Sequence, residues 1–244
     1  MKNIAVRLMY DGSNYHGWQY QKNGITVQEV IEKALSKITG ESIKVTGSSR
    51  TDAGVHALDY VFNFKSDTNI PADKLPYALN YELNDDIVAT SAWEADEDFN
   101  ARFSSKGKKY IYKIWNAKMR NPFYAGYSWY LPYKLDRDKM TECAKHFVGT
   151  HDFSAFMAAG GSQKTTVRTI KECFVEIQDD LITVTVAADA FLYNMVRIIT
   201  GTIVECGMGK IEHCDIPDII KSGDRRKSGL TAPPEGLFLK EVYY

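Results

Sequence analysis

The stretch from Ile43 to Phe64 constrains this chain more than any other. An apolar alternation, Ile43 and Val45, leads into Gly47-Ser48-Ser49-Arg50-Thr51-Asp52-Ala53-Gly54-Val55-His56-Ala57, and a second alternation, Leu58, Tyr60, Phe62 and Phe64, leads out. Period-two patterning on both sides of a glycine-bounded segment predicts strand, loop, strand. The loop is overbuilt for a connection. A tight turn is satisfied by glycine with Asn or Asp, whereas here Arg50 stands two residues from Asp52, with His56 following. Thr51-Asp52-Ala53-Gly54 by itself reads as an ordinary turn. Its surroundings decide what else it is.

Outside this stretch the elements are predicted in chain order. Ile4, Val6 and Leu8 alternate as a first strand, and a loop rich in Gly, Asp and Asn follows, carrying Tyr15, His16, Trp18 and Gln19. Trp18 and Tyr15 suit either a corner of the core or a binding surface. Thr26 and Glu29 form a capping box, in which each side chain answers an orphan N–H of the first turn. Val27, Val30, Ile31, Ala34, Leu35 and Ile38 then repeat as one helical face, and Gly40 is placed to end it. A second helix is expected from Pro71 to about Tyr81, with a break at Pro76. Strands are expected at Ile87–Trp93 and Lys109–Trp115. A helix follows at about Asp136–Val148, and a loop at Gly160–Lys164. A strand pair is expected at Val167–Ile177 and Ile182–Ala188.

Ala190–Gly209 is apolar nearly all round and predicts a buried helix. Arg197 on it needs a partner or an exposed stripe, because an unpaired buried guanidinium is costly. Asp52 is the partner expected. A short helix near Pro217 and a strand at Leu237–Tyr243 close the chain. Strands outnumber helices and come in adjacent pairs, so the class is α+β with a largely antiparallel sheet. Asn116–Lys134 lacks periodicity and holds Pro122, Gly126 and Pro132. It is the expected junction between an N-terminal half, 1–115, and a C-terminal half, 135–244.

Composition excludes several classes. The four cysteines are widely spaced, without a Cys-x-x-Cys pair, which argues against a zinc site or a disulfide framework and fits a reducing cytoplasm. Neither a signal peptide nor a run of about 18 apolar residues is expected, so no membrane partner is. Net charge is −1, but it is unevenly spread: Glu82–Asp98 holds seven acids and no base, and Arg102–Lys134 holds eight bases and no acid. That basic stretch, interleaved with Tyr110, Tyr112, Trp115 and Tyr124, suits either a phosphate backbone with stacked bases or a solvated face. Walker, dinucleotide-binding, zincin, deaminase and Gly-x-Ser-x-Gly patterns are all missing. A carboxylate is then the best nucleophile candidate. It must stay ionised in a dry pocket beside a cation, which Arg50 or Arg197 can supply.

The residues also carry a family likeness. Tyr10-Asp11-Gly12, Gly17-Trp18-Gln19, Thr26-Val27-Gln28 and Arg50-Thr51-Asp52-Ala53-Gly54-Val55-His56-Ala57 resemble the tRNA pseudouridine synthase A family (pseudouridine synthase I). So do Phe99-Asn100-Ala101-Arg102-Phe103-Ser104, Lys109-Tyr110-Ile111-Tyr112, His151-Asp152-Phe153, Phe191-Leu192-Tyr193-Asn194-Met195-Val196-Arg197 and Glu235-Gly236-Leu237-Phe238-Leu239. The resemblance implies isomerisation of uridine to pseudouridine at positions 38, 39 and 40 of the tRNA anticodon arm, without cofactor or metal. It implies Asp52 as nucleophile, Tyr110 beneath the base, Arg197 as the ion-pair partner of Asp52, and Leu237 as a pocket wall. Arg50 and Arg102 are implied as RNA contacts, since the target base must leave its stack. It further implies two α/β halves sharing an antiparallel sheet, helices on one face, a basic cleft between the halves, and a cytoplasmic homodimer. A paralogue acting on other uridines and a non-catalytic tRNA-binding protein are the alternatives.

Overall fold

The computed structural model describes residues 1–161 and 163–244. The chain forms two compact units, Met1–Lys106 with Phe238–Tyr244, and Gly107–Leu237. The expected division at 116–134 is therefore displaced. That segment lies inside the second unit, and the chain returns to the first unit for its last strand.

In the first unit β1 (Lys2–Tyr10) pairs antiparallel with β3 (His56–Ser66) on one side and β4 (Ile87–Ala95) on the other. β10 (Leu237–Tyr243) joins β3 in parallel at Phe238–His56 and Leu239–Ala57. Leu58, the first residue of the apolar alternation, faces solvent instead of the core, whereas Tyr60, Val61, Phe62, Asn63 and Phe64 are all buried. β3 is covered on both faces, and the second face carries Asn63. Its amide joins Asn3 Oδ1 at 2.9 Å and its carbonyl accepts from Ala101 N–H at 2.9 Å. Asn3 in turn donates to Asp96 O and Phe99 O. A buried pair of amides thus ties the Phe99–Ala101 connection to the sheet, each polar atom answered as burial requires.

The strand expected at Ile43–Val45 shrinks to β2 (Thr46–Gly47). The reason is α1 (Val27–Thr39). Ser36 Oγ takes the Ile43 N–H at 3.2 Å, and the buried Glu32 carboxylate takes the Val45 N–H at 3.2 Å and Lys44 Nζ at 2.7 Å. Backbone donors answered by a helix are not available to a ladder. The α1 termini follow the sequence: Thr26 Oγ1 accepts from Glu29 N–H, and Gly40 ends the helix at φ 75°. Such an N-cap is worth about 1 kcal/mol. The Glu29 carboxylate bonds Lys33 at 2.6 Å, so the capping box is half made. A 3-10 turn, Ala72–Lys74, precedes α2 (Leu75–Glu82). The break falls before Pro76 because proline fits the first turn of the new helix.

In the second unit β5 (Gly107–Trp115) pairs antiparallel with β9 (Leu181–Ala188), β9 with β8 (Val167–Gln178), and β8 with β7 (Gly149–Asp152). β6 (Trp129–Tyr130) lies parallel to the end of β5. α3 (Arg137–Lys145) packs on α4 (Met195–Gly207) and on β8, and α5 (Ile216–Ser222) follows. Phe147, Phe153 and Phe156 meet edge to face beneath them. The loop expected at 160–164 includes Ser162, which lies outside the described residues. α4 starts five residues later than its apolar run suggests, because Asn194 adopts a left-handed conformation, φ 59°, and breaks the pattern. Both units are mixed α and β with mainly antiparallel pairing, as the sequence predicts.

Candidate active site

The Asp52 loop is held at almost every residue that flanks the carboxylate. Tyr10, at the end of β1, bonds its hydroxyl to Thr51 Oγ1 at 2.8 Å, both groups being buried. Trp18 N–H donates to Thr51 O at 3.2 Å, Gly54 N–H to Tyr15 O at 3.3 Å, and Val55 N–H closes a turn onto Asp52 O at 3.2 Å. Tyr60 Oη bonds Ser49 O. Asp52 itself is half-buried, and Arg50 is exposed on the same loop. Gly54, at φ 76°, supplies the left-handed residue the turn needs.

The connection from Asp11 to Trp18 is the bed on which this loop lies. Two glycines make the approach possible. A methyl on Gly12 would sit 2.0 Å from Val55 O, and one on Gly17 would sit 2.3 Å from Thr51 O. Trp18 is buried and stacks on Tyr60 with ring centroids 4.0 Å apart. Tyr15 is buried and donates to Asp86 at 2.7 Å. These aromatics are therefore structural. Burial, then the neighbouring Asp86, pushes the Tyr15 phenol well above its ordinary range. His56, at the start of β3, is buried and stacks on Phe238 at 4.6 Å. Its Nδ1 faces both Asp11 Oδ1 at 3.0 Å and Gly12 N–H at 3.1 Å. When bare, that nitrogen accepts from Gly12; when protonated, it donates to Asp11. Arg102 lies on a separate turn, 101–104, whose start is capped by Asn100 Oδ1. It is exposed, with its guanidinium over the Phe103 ring at 5.4 Å.

The second unit holds Tyr110, Arg197 and Leu237. Tyr110 is buried on β5 and meets Phe191 edge-on at 5.0 Å. Arg197 projects from the first turn of α4 and is half-buried. Its Nε donates to Ala232 O at 2.7 Å and its Nη1 to Asn194 Oδ1 at 2.9 Å, while Ala232 N–H donates back to Arg197 O at 3.1 Å. Asn194 spends its side chain on orienting the guanidinium rather than on capping the helix. Tyr112, next on the buried face of β5, donates to Pro233 O at 2.7 Å. Burial raises its phenol far beyond the usual range, the Glu235 charge adds to this, and the Arg197 charge opposes it. Leu237 is buried at the start of β10.

Lys109, one of the bases of the basic strand, is tied to Glu172 at 2.9 Å. More of the exposed basic and aromatic surface lies further along, where Met119 and Phe123 are open to solvent and Arg120 covers Tyr130 at 5.5 Å. Among the described residues no group of three or more His, Cys, Asp or Glu is arranged to hold a metal ion, and no helix is long and apolar enough to cross a membrane. The four cysteines are free, three of them buried, and burial lifts the Cys173 thiol to about 12.

Sequence reasoning left the supports of this site unread. The Gly12 and Gly17 contacts, the Tyr10–Thr51 bond and the anchoring of Arg197 at Ala232 join residues far apart in the chain. The density of glycines and aromatics at 10–18 signals the first two, and no residue pattern signals the third.

Comparison with known proteins places the chain beside a set of similar sequences. A family model described as tRNA pseudouridine synthase matches residues 7–104 and 143–244. The chain is 51% identical over 244 residues to tRNA pseudouridine synthase A of Thermoanaerobacter sp. (strain X514), and 50% identical to the protein so named in Acetivibrio thermocellus. In both cases the whole of each chain is covered. It is 45% identical over 244 residues, again covering both chains, to tRNA pseudouridine synthase A 2 of Clostridium perfringens. Among solved structures, a chain of a Cbf5-Nop10-Gar1 complex aligns with a TM-score of 0.39 at 12% identity, covering 96% of this chain and 57% of that one.

Proposed function

The chain belongs to the tRNA pseudouridine synthase family, and from that premise we propose that Asp52 is the nucleophile of its isomerisation and that its targets are uridines 38, 39 and 40 of the tRNA anticodon arm. The reaction itself converts uridine to pseudouridine in tRNA. The C1′–N1 bond breaks, the uracil turns, and C5 is joined to C1′. The proton on C5 leaves, and N1 gains one, so the product is an isomer of the substrate and no redox partner enters.

One observation carries the assignment of Asp52. Its loop is fixed on both sides by bonds to Tyr10, Tyr15 and Trp18, while the carboxylate stays half-buried. A nucleophile must meet its target within tight geometric limits, so a loop pinned residue by residue is what such chemistry asks for. Arg197 supplies the positive charge that keeps the carboxylate ionised. Tyr110 gives the base a flat surface, and Leu237 a wall. Arg50 and Arg102, both exposed, hold the displaced RNA strand through its phosphates. The protein is further proposed to work as a cytoplasmic homodimer, which sedimentation of the purified chain tests.

Mapping pseudouridines in tRNA from cells with and without this protein tests the substrate assignment. Loss confined to positions 38, 39 and 40 is the expected result. Loss at other uridines would refute the choice of targets and favour the paralogue reading.

A further inference from the structure

Arg197 is steered by a segment that is itself steered by another arginine. From Ser228 to Ala232 the chain runs against α4 without regular structure. It lies so close that a methyl on Gly201 would stand 1.9 Å from Leu230 O, and one on Gly229 would meet the backbone of Thr202 at 2.6 Å. Thr202 Oγ1 accepts from Gly229 N–H at 2.9 Å and donates to Ile198 O at 2.8 Å. The far end of the segment is Ala232, whose carbonyl takes Arg197 Nε and whose N–H returns to Arg197 O.

Arg225 gathers the near end. Its Nη1 reaches Ser228 Oγ at 2.9 Å and Gly229 O at 2.8 Å, with Ser228 O at 3.4 Å, and its Nη2 reaches Thr231 Oγ1 at 3.0 Å. Ser228 Oγ also bonds Ala155 O at 2.6 Å, which ties the assembly to the Phe153–Phe156 core. The guanidinium is half-buried, and among the described residues no carboxylate forms an ion pair with it. Burial disfavours its charge. The Glu205 charge favours it from a distance, but every hydrogen bond of this half-buried cation goes to a neutral oxygen of one short segment, and so is spent on the shape of that segment.

We propose that Arg225 is a positioning residue for catalysis, which fixes the Ser228–Ala232 segment so that Ala232 O holds the Arg197 guanidinium in its working direction. The proposal rests on the catalytic role given to Arg197 above. With Arg225 replaced, the segment keeps its contact with α4 through Thr202 and Gly229, so the helix stays in place. The acceptor at Ala232 loses its register, and Arg197 swings.

The test joins a spectroscopic and a kinetic readout on the full chain. Exchange of the Arg197 Nε–H is followed by NMR on arginine-labelled protein, together with single-turnover pseudouridine formation and tRNA affinity. In Arg225→Gln the Nε–H should exchange about tenfold faster, since the bond to Ala232 O is loosened. Turnover should fall about tenfold, with affinity within about twofold, because a misdirection well under 1 Å costs less than the ~100-fold of a full ångström. Thr231→Val, which removes one acceptor and spares the others, should show both effects more weakly and serves if Arg225→Gln does not fold. Unchanged exchange with either variant overturns the proposal, whatever happens to turnover. Faster exchange with unchanged turnover overturns the role of Arg197 itself, and Arg197→Met turning over like the parent would mark that same failure.

Discussion

A single methyl group at Gly12 should separate the placing of the Asp52 loop from the stability of the protein. Gly12 has an ordinary backbone conformation, so Gly12→Ala brings no dihedral strain. The added Cβ would stand 2.0 Å from Val55 O, where real contacts are essentially never shorter than 3.0 Å. The obstructing atoms, Val55 O and C, are backbone and cannot swing aside as a side chain would. The loop must therefore retreat by about 1 Å, a displacement that costs on the order of 100-fold in rate when it misplaces a reacting group. Overpacking of this kind also costs about 1–3 kcal/mol of stability. The control is Gly40→Ala. Gly40 has φ 75° and nothing within 4 Å, so the substitution strains the end of α1 by about 1–2 kcal/mol without touching the loop. Single-turnover pseudouridine formation, tRNA affinity and denaturant midpoints are measured for both variants. The expectation is two proteins of similar stability and similar affinity, of which only Gly12→Ala is slowed, by about 100-fold. Gly12→Ala turning over within about twofold of the parent, or Gly40→Ala slowed equally, would refute the reasoning.

Alkaline pH should act through the buried phenols. Tyr15, Tyr112 and Tyr244 all have folded pKa values raised above their ordinary value of about 10. Above that value the unfolded chain sheds protons that the native state retains. Their contribution to stability is thus full below about pH 10 and is lost as pH rises further. Urea midpoints from about pH 8 to about pH 11 should fall, and Tyr15→Phe should flatten the fall; an unaltered slope in that variant would count against the burial of Tyr15. Lys118→Ala with Arg120→Ala should reduce the dependence of log affinity for tRNA on log salt by about 0.7–0.9 per phosphate contact removed. A slope equal to that of the parent would place the RNA elsewhere.

How much of this was legible in the sequence depends on how local the cause is. The α1 boundaries follow from Thr26 and Gly40, residues within one turn of the ends they set. β1 and β3 follow from apolar alternation that each strand carries by itself. Ile43 and Val45 alternate as well, yet form no strand, because Ser36 and Glu32 on another element take their N–H groups. The boundary between the units failed for a similar reason. Pro122, Gly126 and Pro132 look like a linker, but Asn116 Nδ2 bonds Leu131 O and Tyr133 O and folds the segment back on β5. At the site, Arg197 was conspicuous as a charge on an apolar helix, and Asp52 as part of a loop with more charge than a turn needs. The supports were not. Gly12, Gly17 and Gly201 act by lacking a side chain, and Arg225 binds carbonyls and hydroxyls, which no residue pattern encodes.

The central claim is that Asp52 performs chemistry and does not merely bind RNA. Asp52→Asn keeps the size of the side chain and removes its charge. Pseudouridine formation and tRNA affinity of this variant, measured on the same preparation, test the claim most directly. The account predicts affinity within about twofold of the parent and no pseudouridine above background at any enzyme concentration. Pseudouridine formed by the variant would contradict it.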